Sequence, residues 1–101
     1  MRHVTEEGLD LIKTFEGFGS TIYICPAGWA TIGYGHVVRE DERKHYEDGI
    51  DEEAGDAILQ NDIEKSERAV LRLIRVALDD GQFDALVSFT FNLGAGALQR
   101  S

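Results

Sequence analysis

The chain has 101 residues, with 19 acidic against 10 basic side chains and a formal net charge of −9. This charge argues against nucleic acid or an anionic membrane as a partner attracted by overall electrostatics. The length predicts a single domain, and the hydrophobic content of 43% predicts a folded core. The single cysteine excludes an internal disulfide and a zinc site built from thiolates.

No run of residues is long and apolar enough for a membrane span. The N-terminal stretch "MRHVTEEGLDLIK" also lacks the apolar centre of a secretory signal. We therefore expect a protein that is made in the cytoplasm without a signal peptide of its own.

The first predicted helix begins after Thr5, which can cap it, and ends near Glu16, where Gly17 follows. Glu6 and Glu7 lie in its first turn, where negative charge suits the helix dipole. Its apolar stripe is predicted to comprise Val4, Leu9, Leu11, Ile12 and Phe15.

Glycines and alternating aromatic residues then predict strands near Thr21–Ile24 and Ala30–Tyr34. The residues "CPAGW" between them predict a turn. A small hairpin or a three-stranded sheet is the expected product. The following segment, 39–53, is rich in both charges and is interpreted as a solvated surface run.

Helical periodicity returns after Asp51, a plausible cap, and continues towards Leu78 as one bent helix or two. The predicted apolar positions are Ala54, Ala57, Ile58, Ile63, Ala69, Val70, Leu73, Ile74 and Leu78. Asp79 or Asp80 starts a last helix, closed by Gly94. Apolar residues cover nearly its whole circumference: Phe83, Ala85, Leu86, Val87, Phe89, Phe91 and Leu93.

A helix that is apolar on all sides needs neighbours on all sides. The sequence stops at Ser101, so either another subunit covers the helix 82–93 by self-association or the chain is a shortened form of a longer one. We favour the shortened form.

Three residues in the apolar stretch 15–37 are candidates for chemistry. Glu16, beside Phe15 and Phe18, would be partly desolvated, which raises a carboxyl pKa and suits a general acid. The alternative interpretation of Glu16 is an ordinary surface glutamate at the end of a helix. Cys25 in its turn can present a reactive thiol, although a free cysteine is more commonly a small buried hydrophobe. Thr31 is by itself an ordinary strand residue.

His36 raises a rival hypothesis, because Cys25 and His36 could pair as in thiol hydrolases. The spacing of His3, His36 and His45 does not favour a metal site. No metal and no cofactor are expected.

The array of Glu16, eight residues, Cys25, five residues and Thr31, followed by "TIGYGH", resembles the catalytic signature of phage-type lysozymes, the endolysins of glycoside hydrolase family 24. The resemblance extends through "GLDLIKTFEGF" and "QFDALVSFTFNLGAGALQRS" and so covers essentially the whole chain.

The resemblance implies an α+β fold, with a small antiparallel β lobe at about 15–50 and a helical lobe formed by 1–14 and 51–101, together one domain over 1–101. It also implies that the helices which normally complete the helical lobe are missing. The implied activity is that of a muramidase, which cleaves the β-1,4 bond between N-acetylmuramic acid and N-acetylglucosamine in the peptidoglycan glycan strands of the cell wall, after release from the host cytoplasm. The alternative is an inactive remnant that at most binds the cell wall.

By resemblance, Glu16 matches the proton donor, Cys25 the group that activates water or stabilises positive charge, and Thr31 a residue that positions the water. Val37, Phe91 and Asn92 match positions that line the saccharide subsites, and His36 matches a structural histidine. The family usually has Asp where this chain has Cys25. An unperturbed thiol has a pKa of about 8.5, and we expect the nearby Glu16 to raise it. A thiolate nucleophile would give retention, whereas a neutral thiol that orients water would give inversion.

Overall fold

The computed structural model describes residues 1–93. These residues form an α+β fold with four α-helices and a three-stranded antiparallel sheet in the order β1-β2-β3. The α+β prediction is confirmed. The elements in chain order are α1 (Glu6–Glu16), β1 (Gly19–Ile24), β2 (Ala30–Gly33), β3 (His36–Val37), a 3-10 turn (Glu40–Glu42), α2 (Arg43–Tyr46), α3 (Glu52–Leu73) and α4 (Asp80–Leu93).

The predicted helix ends are confirmed by side-chain caps. The Thr5 hydroxyl accepts the N–H of Gly8 at 3.1 Å, and the Asp51 carboxylate accepts the N–H of Ala54 at 2.8 Å. The Asp79 carboxylate caps α4 by accepting the N–H of Gln82 at 2.7 Å, and the Gln82 side-chain oxygen accepts the N–H of Asp79 at 3.0 Å. Such caps satisfy N–H groups that have no partner within the helix.

The described residues divide into two compact units, one of them formed by Lys13–Asn61 and the other by Met1–Ile12 together with the described residues from Asp62 to Leu93. The division into a β lobe and a helical lobe of a single domain stays a prediction. In the unit 13–61, Ile32 and Leu59 are buried, and the rings of Phe18 and Tyr34 contact each other with centroids 5.2 Å apart. A Cβ on Gly55 would lie only 2.7 Å from the Phe18 ring, so a glycine in α3 leaves room for these aromatics.

In the other unit, three carboxylates hold the N-terminal segment. Glu67, which is almost fully buried, accepts the N–H of Val4 at 2.7 Å and bonds to the His3 ring at 2.9 Å. Asp84 accepts both the N–H and the hydroxyl of Thr5. Asp80 pairs with Arg2, whose guanidinium lies over the Phe83 ring. The core of this unit contains Ile12, Ile63, Ala69, Val70, Phe83, Val87 and Thr90.

Several details of the predicted burial are wrong. Leu11 and Phe15 are 72% and 77% exposed, so only part of the predicted α1 stripe is buried. α3 continues unbroken to Leu73 and buries Leu59, whereas the predicted Ala57 is exposed.

The last helix is not buried on all sides in this chain. α4 buries Phe83, Val87 and Thr90 on one face, but Ala85 and Phe89 on the opposite face are exposed. An apolar sequence alone does not supply the neighbours that would cover a second face. The predicted end at Gly94 lies outside the described residues. Among helices within residues 1–93, none is both long and apolar enough to cross a membrane.

Candidate active site

Glu16 is the last residue of α1, and the chain turns away immediately after it. Gly17 has a φ of +73° and donates its N–H to the Lys13 carbonyl at 2.9 Å, which closes the helix. The Glu16 carboxyl lies against Gly35, because a Cβ on that glycine would come within 2.6 Å of Oε2. Burial raises the pKa of Glu16, as the sequence predicted. Phe15, which the sequence placed beside Glu16, is itself 77% exposed.

Cys25 begins a tight hairpin turn that joins β1 to β2. The Gly28 N–H donates to the Cys25 carbonyl at 2.8 Å, and the Cys25 N–H donates to the Trp29 carbonyl at 3.0 Å. Pro26 follows Cys25 as the first central residue, and Gly28 takes a φ of +91°, so each residue type suits its place in a three-residue loop.

The turn lowers the pKa of the Cys25 thiol. The N–H of Trp29 makes the largest contribution, the Thr31 hydroxyl follows, and the N–H groups of Ala27 and Gly28 add to it; desolvation acts in the opposite direction. Our expectation that Glu16 would raise this pKa is therefore wrong. Converging amide donors stabilise the thiolate, as backbone nests stabilise other anions. The Thr31 hydroxyl adds to this when its single proton turns from the Trp29 carbonyl to the sulfur.

Thr31 lies on β2 and is 2% exposed. Its hydroxyl donates to the Trp29 carbonyl at 2.9 Å and also lies within hydrogen-bonding reach of the Cys25 thiol. Val37 on β3 is the direct partner of Thr31, and directly opposed residues point to the same face of a sheet. The exposed Val37 side chain therefore shares the face of Thr31.

His36 belongs to the opposite face, since its partner on β2 is Ile32 rather than Thr31. Its Nε2 lies 3.3 Å from the Glu42 carboxylate, and its ring contacts the Tyr46 ring edge to face. The hypothesis of a Cys25–His36 pair is therefore wrong, because the strand register turns His36 away from the Thr31 face. The partner Glu42 was missed, as it lies in the segment 39–53 that was interpreted as solvated.

The structure thus places Glu16, Cys25, Thr31 and Val37 in the unit 13–61. The remaining two predicted residues, Phe91 and Asn92, lie on α4 of the other unit, where Phe91 is half-buried and Asn92 is exposed. The roles of all six stay predictions. Sequence reasoning missed Gly35, whose missing side chain accommodates Glu16; its place in the glycine-rich "TIGYGH" was the available signal.

The sequence profile of a family described as Phage lysozyme matches residues 13–101. The chain belongs to the phage lysozyme family. The endolysin of Bacillus phage B103 is 37% identical over 101 residues, which cover 98% of this chain and 37% of that protein. The endolysin of the Acyrthosiphon pisum secondary endosymbiont phage 1 is 37% identical over 98% of this chain and 65% of its own length.

A solved structure agrees with this membership in the phage lysozyme family. The endolysin from Escherichia coli O157:H7 phage FAHEc1 superposes with a TM-score of 0.87 at 40% identity, over 99% of this chain and 63% of that one. The prediction of a lysozyme-like fold is confirmed. This chain spans between about a third and two thirds of the length of the curated relatives described above.

Proposed function

We propose that this chain is a muramidase, which hydrolyses the β-1,4 bonds between N-acetylmuramic acid and N-acetylglucosamine in peptidoglycan and lyses host cells. The observation that carries the proposal is the opposite perturbation of two groups in one unit. The pKa of Glu16 is raised and the pKa of Cys25 is lowered. Each shift favours the form that the mechanism uses, the protonated carboxyl of Glu16 and the thiolate of Cys25, and perturbed pKa values cluster at functional sites.

In this mechanism the neutral Glu16 carboxyl donates its proton to the glycosidic oxygen while the C1–O bond breaks. The electron pair of the C1–O bond goes to that oxygen. The Cys25 thiolate attacks C1 and forms a C1–S bond. A water then displaces the thiolate, giving its proton to the Glu16 carboxylate, and both residues return to their starting states. Two displacements retain the anomeric configuration. To hold the thiolate, the Thr31 hydroxyl would turn its single proton from the Trp29 carbonyl to Cys25.

Three further residues are proposed to line the saccharide subsites: Val37, Phe91 and Asn92. The protein would act on the cell wall after release from the cytoplasm of the host. The exposure of Val37 and Asn92 supports contact with a ligand.

The test uses purified peptidoglycan and the release of reducing sugar ends. Glu16→Gln should abolish release because the amide protons are not acidic enough to be transferred to the leaving oxygen, while sedimentation with peptidoglycan is kept. Glu47→Gln, which neutralises an exposed acid in the same unit, is the matched control and should behave as the wild type. Equal rates for Glu16→Gln and the wild type would refute the proposal, and binding without release by the wild type would favour the inactive wall-binding alternative. NMR of the first product anomer reports retention or inversion.

A further inference from the structure

Tyr23 lies on β1 directly opposite Thr31, which in turn lies opposite Val37 on β3. The three side chains therefore form one row across the same face of the sheet. Cys25 follows Tyr23 by two residues, so strand alternation directs it to this face as well. The register therefore places Tyr23 beside Thr31, whose hydroxyl lies within reach of Cys25, the proposed nucleophile.

The ring of Tyr23 is folded back along its own strand. A Cβ on Gly19 would lie 2.5 Å from Cε1 and 2.8 Å from Cδ1 of Tyr23, so the ring covers the backbone of that glycine. Gly19 is only three residues beyond Glu16. The side chain consequently runs from the Cys25 end of β1 towards the residues that follow Glu16.

The charges in the unit agree with this position. Burial raises the pKa of Tyr23, and the charges of Cys25 and Glu16 raise it further. The phenol therefore keeps its proton under conditions in which the Cys25 thiol ionises, and remains a neutral donor near both groups. Within residues 1–93 no other side chain or backbone group is hydrogen-bonded to its hydroxyl, and the residue is 37% exposed, so a ligand can reach it.

From this geometry we propose that Tyr23 is a saccharide-binding residue whose hydroxyl donates a hydrogen bond to an oxygen of the sugar held between Glu16 and Cys25. This inference rests on the proposed muramidase function. A phenol in this place can bind the sugar without taking a proton from Glu16, because it is already protonated.

Tyr23→Phe tests the inference, since the ring that covers Gly19 stays and only the hydroxyl is lost. Binding of an N-acetylglucosamine oligomer, followed by titration calorimetry, should weaken about 3- to 10-fold, as expected for one hydrogen bond. The turnover of peptidoglycan should fall at least as much. Tyr34→Phe is the matched control: it removes a hydroxyl from a buried tyrosine of the same unit and should leave both quantities unchanged.

A second measurement checks the placement of Tyr23 without any sugar. Tyrosinate absorbance against pH should show one tyrosine that ionises at lower pH in Glu16→Gln and in Cys25→Ser than in the wild type. If the tyrosine titration is unchanged in both variants, or if Tyr23→Phe binds and cleaves as well as the wild type, the role of Tyr23 is overturned while the proposed function still stands. A wild-type chain that neither binds the oligomer nor cleaves peptidoglycan overturns the proposed function, and this inference with it.

Discussion

Replacing Gly35 by alanine should disable the site more than it destabilises the fold. Gly35 has a φ of +80°, where a side chain costs about 1–2 kcal/mol of folding free energy. The new Cβ would lie 2.6 Å from Oε2 of Glu16, which is about 1 Å shorter than an ordinary van der Waals contact. The carboxyl end of Glu16 is flexible and will move aside by roughly that distance. A displacement of about 1 Å in a catalytic group can reduce the rate about 100-fold.

The matched control is Gly17→Ala. Gly17 also has a positive φ, +73°, but a Cβ there would meet no atom within 4 Å. Both variants should lose similar free energy of unfolding in urea, whereas only Gly35→Ala should lose most of its release of reducing ends from peptidoglycan. Equal activity of the two variants would show that the contact with Glu16 does not matter, and would refute the reasoning.

Three other predictions concern stability and pH. Gly8→Ala should lower the free energy of unfolding, although alanine favours a helix by about 1 kcal/mol, because its Cβ would lie 2.6 Å from the Asp84 carboxylate and 3.0 Å from the Asp84 Cβ. In an Asp84→Gly background, which removes both contacts, the same change should stabilise, and a gain in both backgrounds would contradict this. The pKa of Glu42 is lowered, first by the Arg39 N–H and also by His36, so the ionised carboxylate stabilises the folded state. This contribution to stability is complete above the ordinary pKa of 4.5 and is lost as the pH falls through the lower pKa of the folded state. Glu42→Gln should therefore lower Tm at neutral pH and flatten its fall in acid, and parallel Tm curves would be the contrary result. Cys25→Asp should extend activity to lower pH, because an aspartate carboxyl has a pKa of about 3.9 and a thiol ionises at higher pH even when its surroundings lower its pKa. Superimposable pH profiles of the two proteins would count against an ionised Cys25.

The sequence was sufficient for features that depend on local chemistry. Thr5, Asp51 and Asp79 marked the helix starts, and "CPAGW" marked the hairpin turn, because caps and turns are decided by a few neighbouring residues. The spacing from Glu16 to Thr31 was enough to suggest the family. None of these required knowledge of distant contacts.

The features that were missed depend on where the backbone points. The lowered pKa of Cys25 comes mainly from amide N–H groups, which every residue except proline has and which no sequence pattern reveals. Glu42 looked like one acid among many until the fold placed it beside His36. The exposure of Phe89 was unpredictable for the same reason, since composition shows what a face could bury and not what lies against it.

The pairing of β1 with β2 contains an irregularity that affects which length changes the chain can tolerate. Gly19 pairs with Gly33 and Tyr23 pairs with Thr31, so four steps along β1 correspond to two along β2. The extra residues number two, and a strand that gains an even number of residues keeps each side chain on its original face. Insertion or deletion of a single residue there would instead reverse Tyr23 and Cys25 together. A change of two residues in this strand should therefore keep Tyr23 and Cys25 on the face of Thr31, whereas a change of one residue should not.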